Sequence, residues 1–186
     1  MSHAMSNPVV TIATPEGEIV IEVDVASAPR AATYFLALVE AGAMTDVFIY
    51  RSTRLGDPDR GPLIQAGPLG PRFTDAATGS IPTGLTFPPE FDTTDRTGLR
   101  HVRGTVSFAR DLLDTGAVIP EIFLCLDDYP ELDAGGRTEP DERGFPAFGS
   151  VRAGLAAGAT TGVALVSHLA GEILDPPVRM SASRTA

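Results

Sequence analysis

The chain has 186 residues, 43% hydrophobic and 20% charged, with 24 acidic against 14 basic side chains and a formal net charge of −10. That length suits one domain around a single core, and the acidic balance argues against binding nucleic acid through its phosphates. The single cysteine, Cys125, cannot close an internal disulfide, which fits a reducing compartment, and no apolar run approaches membrane-spanning length.

The opening residues, Met1 to Ser6, lack the basic and apolar regions of a secretory signal. Residues 1–8 are expected to be a flexible N-terminus, 9–182 a single domain, 183–186 a tail, and the cytoplasm the default location. Val9–Ala13 and Glu18–Val23 are β-branched runs joined by Thr14-Pro15-Glu16-Gly17, which predicts a hairpin. Ser27-Ala28-Pro29 predicts a helix start, with Ser27 as N-cap and Pro29 in the first turn. Tyr34, Phe35, Leu38 and Val39 then fall at helical spacing and Gly42 ends the element.

Next come Phe48-Ile49-Tyr50-Arg51, a loop of Gly, Asp and Pro, and Leu63-Ile64-Gln65-Ala66-Gly67. Two short strands around a polar excursion would set Arg51 and Gln65 near each other on antiparallel neighbours. An arginine ending an aromatic-rich strand is either paired or presented to a ligand. Residues 68–100 show no periodicity, with Phe87 and Phe91 as candidate anchors. Strands are expected over Gly104–Arg110, Pro120–Leu126 and Phe145–Val151, with a turn over 111–118 and an acidic, solvated loop over 127–143. Gly154 to Val166 reads as a weak helix and Leu174 to Ser183 as the last strand, with Pro176-Pro177 at its start. Many short strands with few helices, no repeat and no linker point to a mainly β fold, a closed antiparallel barrel without exposed edges.

Taken in order, "TPEGEIVIEVDVASAPRAATYFLALVEAG", "FIYRSTR", "PLIQAG", "FPPEF", "HVRGTVSFAR", "EIFLCLDD", "ELD" and "GFPAFGSV" resemble the cyclophilin-type peptidyl-prolyl cis-trans isomerases, most like the bacterial branch. The resemblance runs colinearly over roughly residues 9 to 182. It implies an eight-stranded antiparallel closed β-barrel capped by two α-helices, and an enzyme that accelerates rotation about X–Pro bonds and so assists folding. It also implies proline-containing peptides or unfolded proteins as partners, no cofactor and no metal. A monomer is expected, with no nucleic-acid or membrane partner.

The resemblance puts the catalytic arginine at Arg51 and its glutamine partner at Gln65. It makes Phe108 a wall of the proline pocket with Ala109 beside it, and assigns Phe123, Leu132 and Phe145 to the same pocket. This chain departs from the pattern at several points. Tyr50 stands where many members have histidine, Phe108 replaces the usual methionine, and Pro120-Glu121 replaces a Ser-Gln pair. Arg110 adds a second cation expected near the mouth. Glu121, at a substrate-binding position, could hold Arg51 back or favour basic peptides. The tryptophan position near Glu131 is lost, which implies weak cyclosporin affinity.

Apart from the resemblance, Arg51 reads as a strand-end ion pair, Gln65 as a surface amide, and the phenylalanines as core. His101 and His168 are isolated, and with His3 they give no metal spacing. Asp127, Asp128, Glu131 and Asp133 miss the calcium-loop pattern. Two other functions stand beside the isomerase: a proline-peptide binding module or chaperone with little turnover, and a small-molecule-binding β-barrel.

Overall fold

The computed structural model describes residues 6–15, 17–69, 87, 90–110, 116–139, 141–154 and 173–185, with the backbone alone over 173–177. Eight strands form the framework: β1 (Val9–Thr14), β2 (Gly17–Val23), β3 (Val47–Thr53), β4 (Leu63–Gly67), β5 (Thr105–Arg110), β6 (Val118–Cys125), β7 (Ala147–Ala153) and β8 (Ile173–Arg184). They close into a barrel in the order β1-β2-β7-β5-β6-β4-β3-β8, and β8 pairs back onto β1. Every pairing is antiparallel. The mainly β barrel expected from the sequence is therefore present.

Alternation along the strands decides which face fills the barrel. Val10 and Ile12 of β1, Ile19, Ile21 and Val23 of β2, Ile64 and Ala66 of β4, Val106 and Phe108 of β5, and Ile122 and Leu124 of β6 all join one buried cluster. Helix α1 (Pro29–Glu40) adds Ala31, Ala32, Tyr34, Phe35, Leu38 and Val39 to it. Phe35 lies 4.8 Å from Phe148 and 6.3 Å from Phe108, ring centre to ring centre. Phe87 also reaches this cluster, 4.8 Å from Tyr34 and 5.4 Å from Phe108.

Four details differ from the sequence reading. Ala28, not Ser27, is the N-cap of α1; the Ser27 amide instead donates to Asp24 Oδ1 at 2.9 Å, which closes the turn before the helix. A one-turn helix, α2 (Thr94–Thr97), forms in a stretch read as irregular, with Gly98 as its left-handed C-cap. The loop over 127–143 is not simply solvated. It contains a 3-10 turn at Pro130–Leu132, and Tyr129 and Leu132 are buried. Strand β7 starts at Ala147, two residues later than expected. The helix expected over 154–166, apart from Gly154, and residues 111–115 of the turn expected over 111–118 lie outside the described residues.

Candidate active site

Two register shifts prepare the outer face of the barrel. On β3, Ile49 faces Ala66 and Arg51 faces Gln65, so Tyr50 is the extra residue of a bulge. In a regular strand adjacent side chains point to opposite faces; a bulge re-aims one of them. Here both Tyr50 and Arg51 reach Gln65. Arg51 Nη1 donates to Gln65 Oε1 at 3.2 Å, and Gln65 Nε2 donates to the Tyr50 hydroxyl at 2.7 Å. The register also shifts on β5 between Phe108 and Arg110.

Pairing then carries the row sideways. Arg51 faces Gln65, Gln65 faces Phe123, and Phe123 faces Ser107. Residues directly opposite one another share a face of the sheet, so a guanidinium, an amide and an aromatic ring line up across β3, β4 and β6. Leu63, Ala109, Phe123, Cys125, Tyr129, Leu132 and Phe145 form a second apolar cluster, separate from the barrel core. Phe123 and Phe145 meet edge to face, 5.7 Å apart at 84°. Ala109, Phe123, Leu132 and Phe145 are thus brought together as the sequence reading expected.

Behind Phe123 lies a polar support that sequence reasoning missed. His101, read as isolated, stacks on Phe123 at 5.7 Å and 19° and meets Phe145 edge-on at 6.5 Å. Asp133 Oδ1 accepts from the His101 amide at 2.9 Å and lies 2.8 Å from Nδ1, while Nε2 sits 3.1 Å from Ser107 Oγ. Burial works to raise the Asp133 pKa, but the bonds from His101 outweigh it and hold the carboxyl below its usual range. The two partners are thirty-two positions apart in sequence, so no local spacing announces them.

A side wall is fastened in a similar way. Arg60 lies over the Tyr129 ring at 3.7 Å and donates to Leu55 O at 2.8 Å and Glu131 Oε1 at 2.6 Å. It also reaches the Asp128 carbonyl. This ties the loop after Arg51 to the loop that carries Leu132.

Three expected site residues sit differently from the sequence reading. Phe108 does not line the pocket. It is fully buried in the barrel core against Tyr34, Phe87 and Phe148, because it lies on the inner face of β5. Arg110 is not a cation at the mouth. Its side chain is 1% exposed and paired with Asp141, with further bonds to the Gly116 and Gly144 carbonyls at 2.8 and 2.9 Å. A planar guanidinium is the side chain best suited to such buried, multiply bonded pairing. Phe91 lies under it, 5.3 Å from the Arg110 guanidinium and 4.8 Å from that of Arg143.

Glu121 is fully buried. Its Oε1 accepts from the Leu69 amide. Burial, then the nearby charge of Glu121, push the Tyr50 pKa far up. The carboxylate presses on Gly67, whose φ of +152° favours glycine and where any β-carbon would collide with it. Among the described residues no group of three His, Cys, Asp or Glu side chains is arranged to hold a metal ion, and no helix is long and apolar enough to cross a membrane.

No curated protein sequence matches the chain. A crystal structure of a cyclophilin-type peptidyl-prolyl cis-trans isomerase from Cryptosporidium parvum is similar with a TM-score of 0.66 at 16% identity, covering 97% of this chain and 98% of that one. The same Cryptosporidium parvum enzyme in the presence of the dipeptide Ala-Pro gives 0.65 at 17% identity, covering 96% and 99%. At such identities the likeness speaks for the fold. The sequence itself goes further: residues 9–159 match the family model described as "Cyclophilin type peptidyl-prolyl cis-trans isomerase/CLD", and the chain belongs to the cyclophilin-type peptidyl-prolyl cis-trans isomerase family.

Proposed function

We propose that this cyclophilin-type isomerase turns X–Pro bonds on the outer face of β3, β4 and β6, with Arg51 as the catalytic donor. The observation that carries this reading is the row of Arg51, Gln65 and Phe123 across three paired strands. An X–Pro amide rotates slowly because C–N resonance raises a barrier of about 18–20 kcal/mol. A guanidinium donating to the prolyl nitrogen favours the pyramidal nitrogen of the twisted amide, so it stabilises the transition state more than either planar state. Phe123, Leu132 and Phe145, with Ala109 beside them, would hold the pyrrolidine ring while the preceding carbonyl turns. Gln65 would fix Arg51 and bond the substrate backbone. No covalent bond is broken.

Proline-containing peptides and unfolded proteins are the expected substrates, and the Ala-Pro dipeptide used with the Cryptosporidium parvum relative supports that chemistry. Work on folding clients, as a monomer in the cytoplasm, completes the proposal. The rival reading, a binding module without turnover, depended on Glu121 restraining Arg51. Arg51 Nη1 donates to Gln65 Oε1, and Glu121 Oε1 accepts from the Leu69 amide; the bond that holds the guanidinium beside the apolar cup is what supports the enzyme.

The test is exchange NMR or a protease-coupled assay on an Ala-Pro peptide. Removing one preorganised donor costs roughly 10²–10³ in rate, so Arg51→Ala should lose about that factor in kcat/KM while still binding the peptide. A wild-type rate at background, or Arg51→Ala as active as wild type, overturns the assignment.

A further inference from the structure

We propose that Leu55 is a specificity-determining residue of the isomerase, held by Arg60 at one end of the apolar cup to receive an apolar side chain adjacent to the substrate proline. This rests on the reading of the Phe123 cup beside Arg51 as the site of turnover, and it adds a substrate class.

The outer apolar cluster runs along β6. Ile119, Phe123 and Cys125 alternate with the inward Ile122 and Leu124, so they share the outer face. Arg51 and Gln65 lie opposite Phe123, while Thr53 and Leu63 lie opposite Cys125, two residues further along. Leu55 follows Thr53 just past the end of β3 and packs against this same cluster. The members of the cluster are buried; among the described residues, Leu55 and Ile119 are the half-buried apolar side chains packed on it. A cup seated at Phe123 therefore keeps some apolar surface accessible at each end of the strip. One peptide residue advances an extended chain by about 3.3–3.6 Å, so the neighbours of a proline held at Phe123 fall toward those ends.

Ile119 is fixed by its strand. Leu55 lies on a loop whose tip, Gly56 to Asp59, is exposed, and Arg60 is what holds it. Arg60 Nη1 donates to the Leu55 carbonyl at 2.8 Å and to Glu131 Oε1 at 2.6 Å, with the guanidinium over the Tyr129 ring. Arg54 Nε donates to the Arg60 carbonyl at 2.7 Å, which closes the neck of the loop. Next to Arg60, the Gly61 amide donates to Asp127 Oδ2 and the Gly61 carbonyl accepts from the Tyr129 hydroxyl. Tyr129 and Glu131 flank the turn that carries Leu132, so one guanidinium sets Leu55 against the wall of the cup. The Arg60 side chain is 17% exposed, and a planar fork gives up little freedom per bond formed. A rim ordered beforehand rewards an apolar substrate side chain, because binding need not also order the loop.

The test compares three peptides by exchange NMR: Ala-Leu-Pro-Ala, Ala-Ala-Pro-Leu and the reference Ala-Ala-Pro-Ala. Wild type should favour at least one leucine peptide over the reference by about fivefold in kcat/KM, mainly through KM. Leu55→Ala should bring one such ratio to within about twofold of unity, and that peptide reports which side of the proline Leu55 serves. Arg60→Met, which keeps an apolar stem but has no donor, should erase the same preference. A ratio between peptides cancels any general loss of folded protein. In the Leu55→Ala background, Arg60→Met should change the ratio little further, since the two act as one unit.

No preference in wild type, or preferences that all survive Leu55→Ala, overturns the proposal. A preference lost in Leu55→Ala but kept in Arg60→Met overturns the role given to Arg60. If wild type binds the peptides without turning them, the Arg51 assignment falls, and the same ratio read as Kd by NMR titration decides for or against Leu55. Absence of binding overturns both.

Discussion

Arg110 and Asp141 meet side-on through two parallel hydrogen bonds, Nη1 to Oδ1 at 2.9 Å and Nη2 to Oδ2 at 2.7 Å. The pair joins the end of β5 to the loop before β7, and the hydrogen bond from Arg110 is the main reason that Asp141 is held far below the usual carboxylate range. A depressed folded-state pKa contributes stability that is present above the unfolded value of about 3.9 and lost as pH falls below it. Acid sensitivity below about pH 4 should therefore be blunted in Asp141→Asn, as measured by the difference between urea midpoints at pH 7 and pH 3. Arg110→Met leaves a half-buried carboxylate and two carbonyls without their donor and should cost about 3 kcal/mol at pH 7.

Phe108 and Phe145 should separate stability from binding. Phe108→Ala empties a fully buried site in the barrel core and should cost about 4 kcal/mol in denaturant unfolding. Phe145→Leu keeps most of the buried volume but removes the ring that meets Phe123 edge to face. It should raise KM for a proline peptide by roughly tenfold with a small loss of stability. The reverse pattern would mean that the two rings have been assigned to the wrong places.

Gly67→Ala should destabilise by more than about 1 kcal/mol, from a φ that disfavours side chains and from the collision with Glu121. Part of that cost belongs to the collision alone. In a Glu121→Ala background, the same glycine substitution should cost measurably less, and equal costs in both backgrounds would deny the contact.

Cys125 is fully buried in the outer apolar cluster, and burial, reinforced by Asp133, pushes its thiol pKa well up. A buried neutral thiol is a poor nucleophile. Labelling by a thiol reagent should be negligible in native buffer and should rise with denaturant in step with unfolding. Fast labelling of the native protein would contradict the packing.

Much of this arrangement could be read from residues in order. The β1–β2 hairpin carries its turn in four adjacent residues, and α1 carries its proline start and helical spacing. The pairing of Arg51 with Gln65 followed from two strands around one loop. What the sequence left open depends on which face a residue occupies. Phe108 and Ala109 are neighbours, yet one fills the barrel and the other joins the outer cluster. Residue types near a strand bulge do not show which way each points. Arg110 reads as a charge near an opening until Asp141, from a distant loop, buries it. The His101–Asp133 pair was equally hidden, since it forms only when the loop carrying Leu132 folds over β6.

The closing pair of the barrel has a consequence for how the protein is made. β8 spans twelve residues at the far end of the chain and is the strand that bridges β1 and β3. Synthesis proceeds from the N-terminus, so until β8 emerges both neighbours present raw backbone edges. Such edges invite pairing with other chains. Nascent chains halted before Ile173 should therefore depend on chaperones, and the ring can be completed only after translation of its last strand.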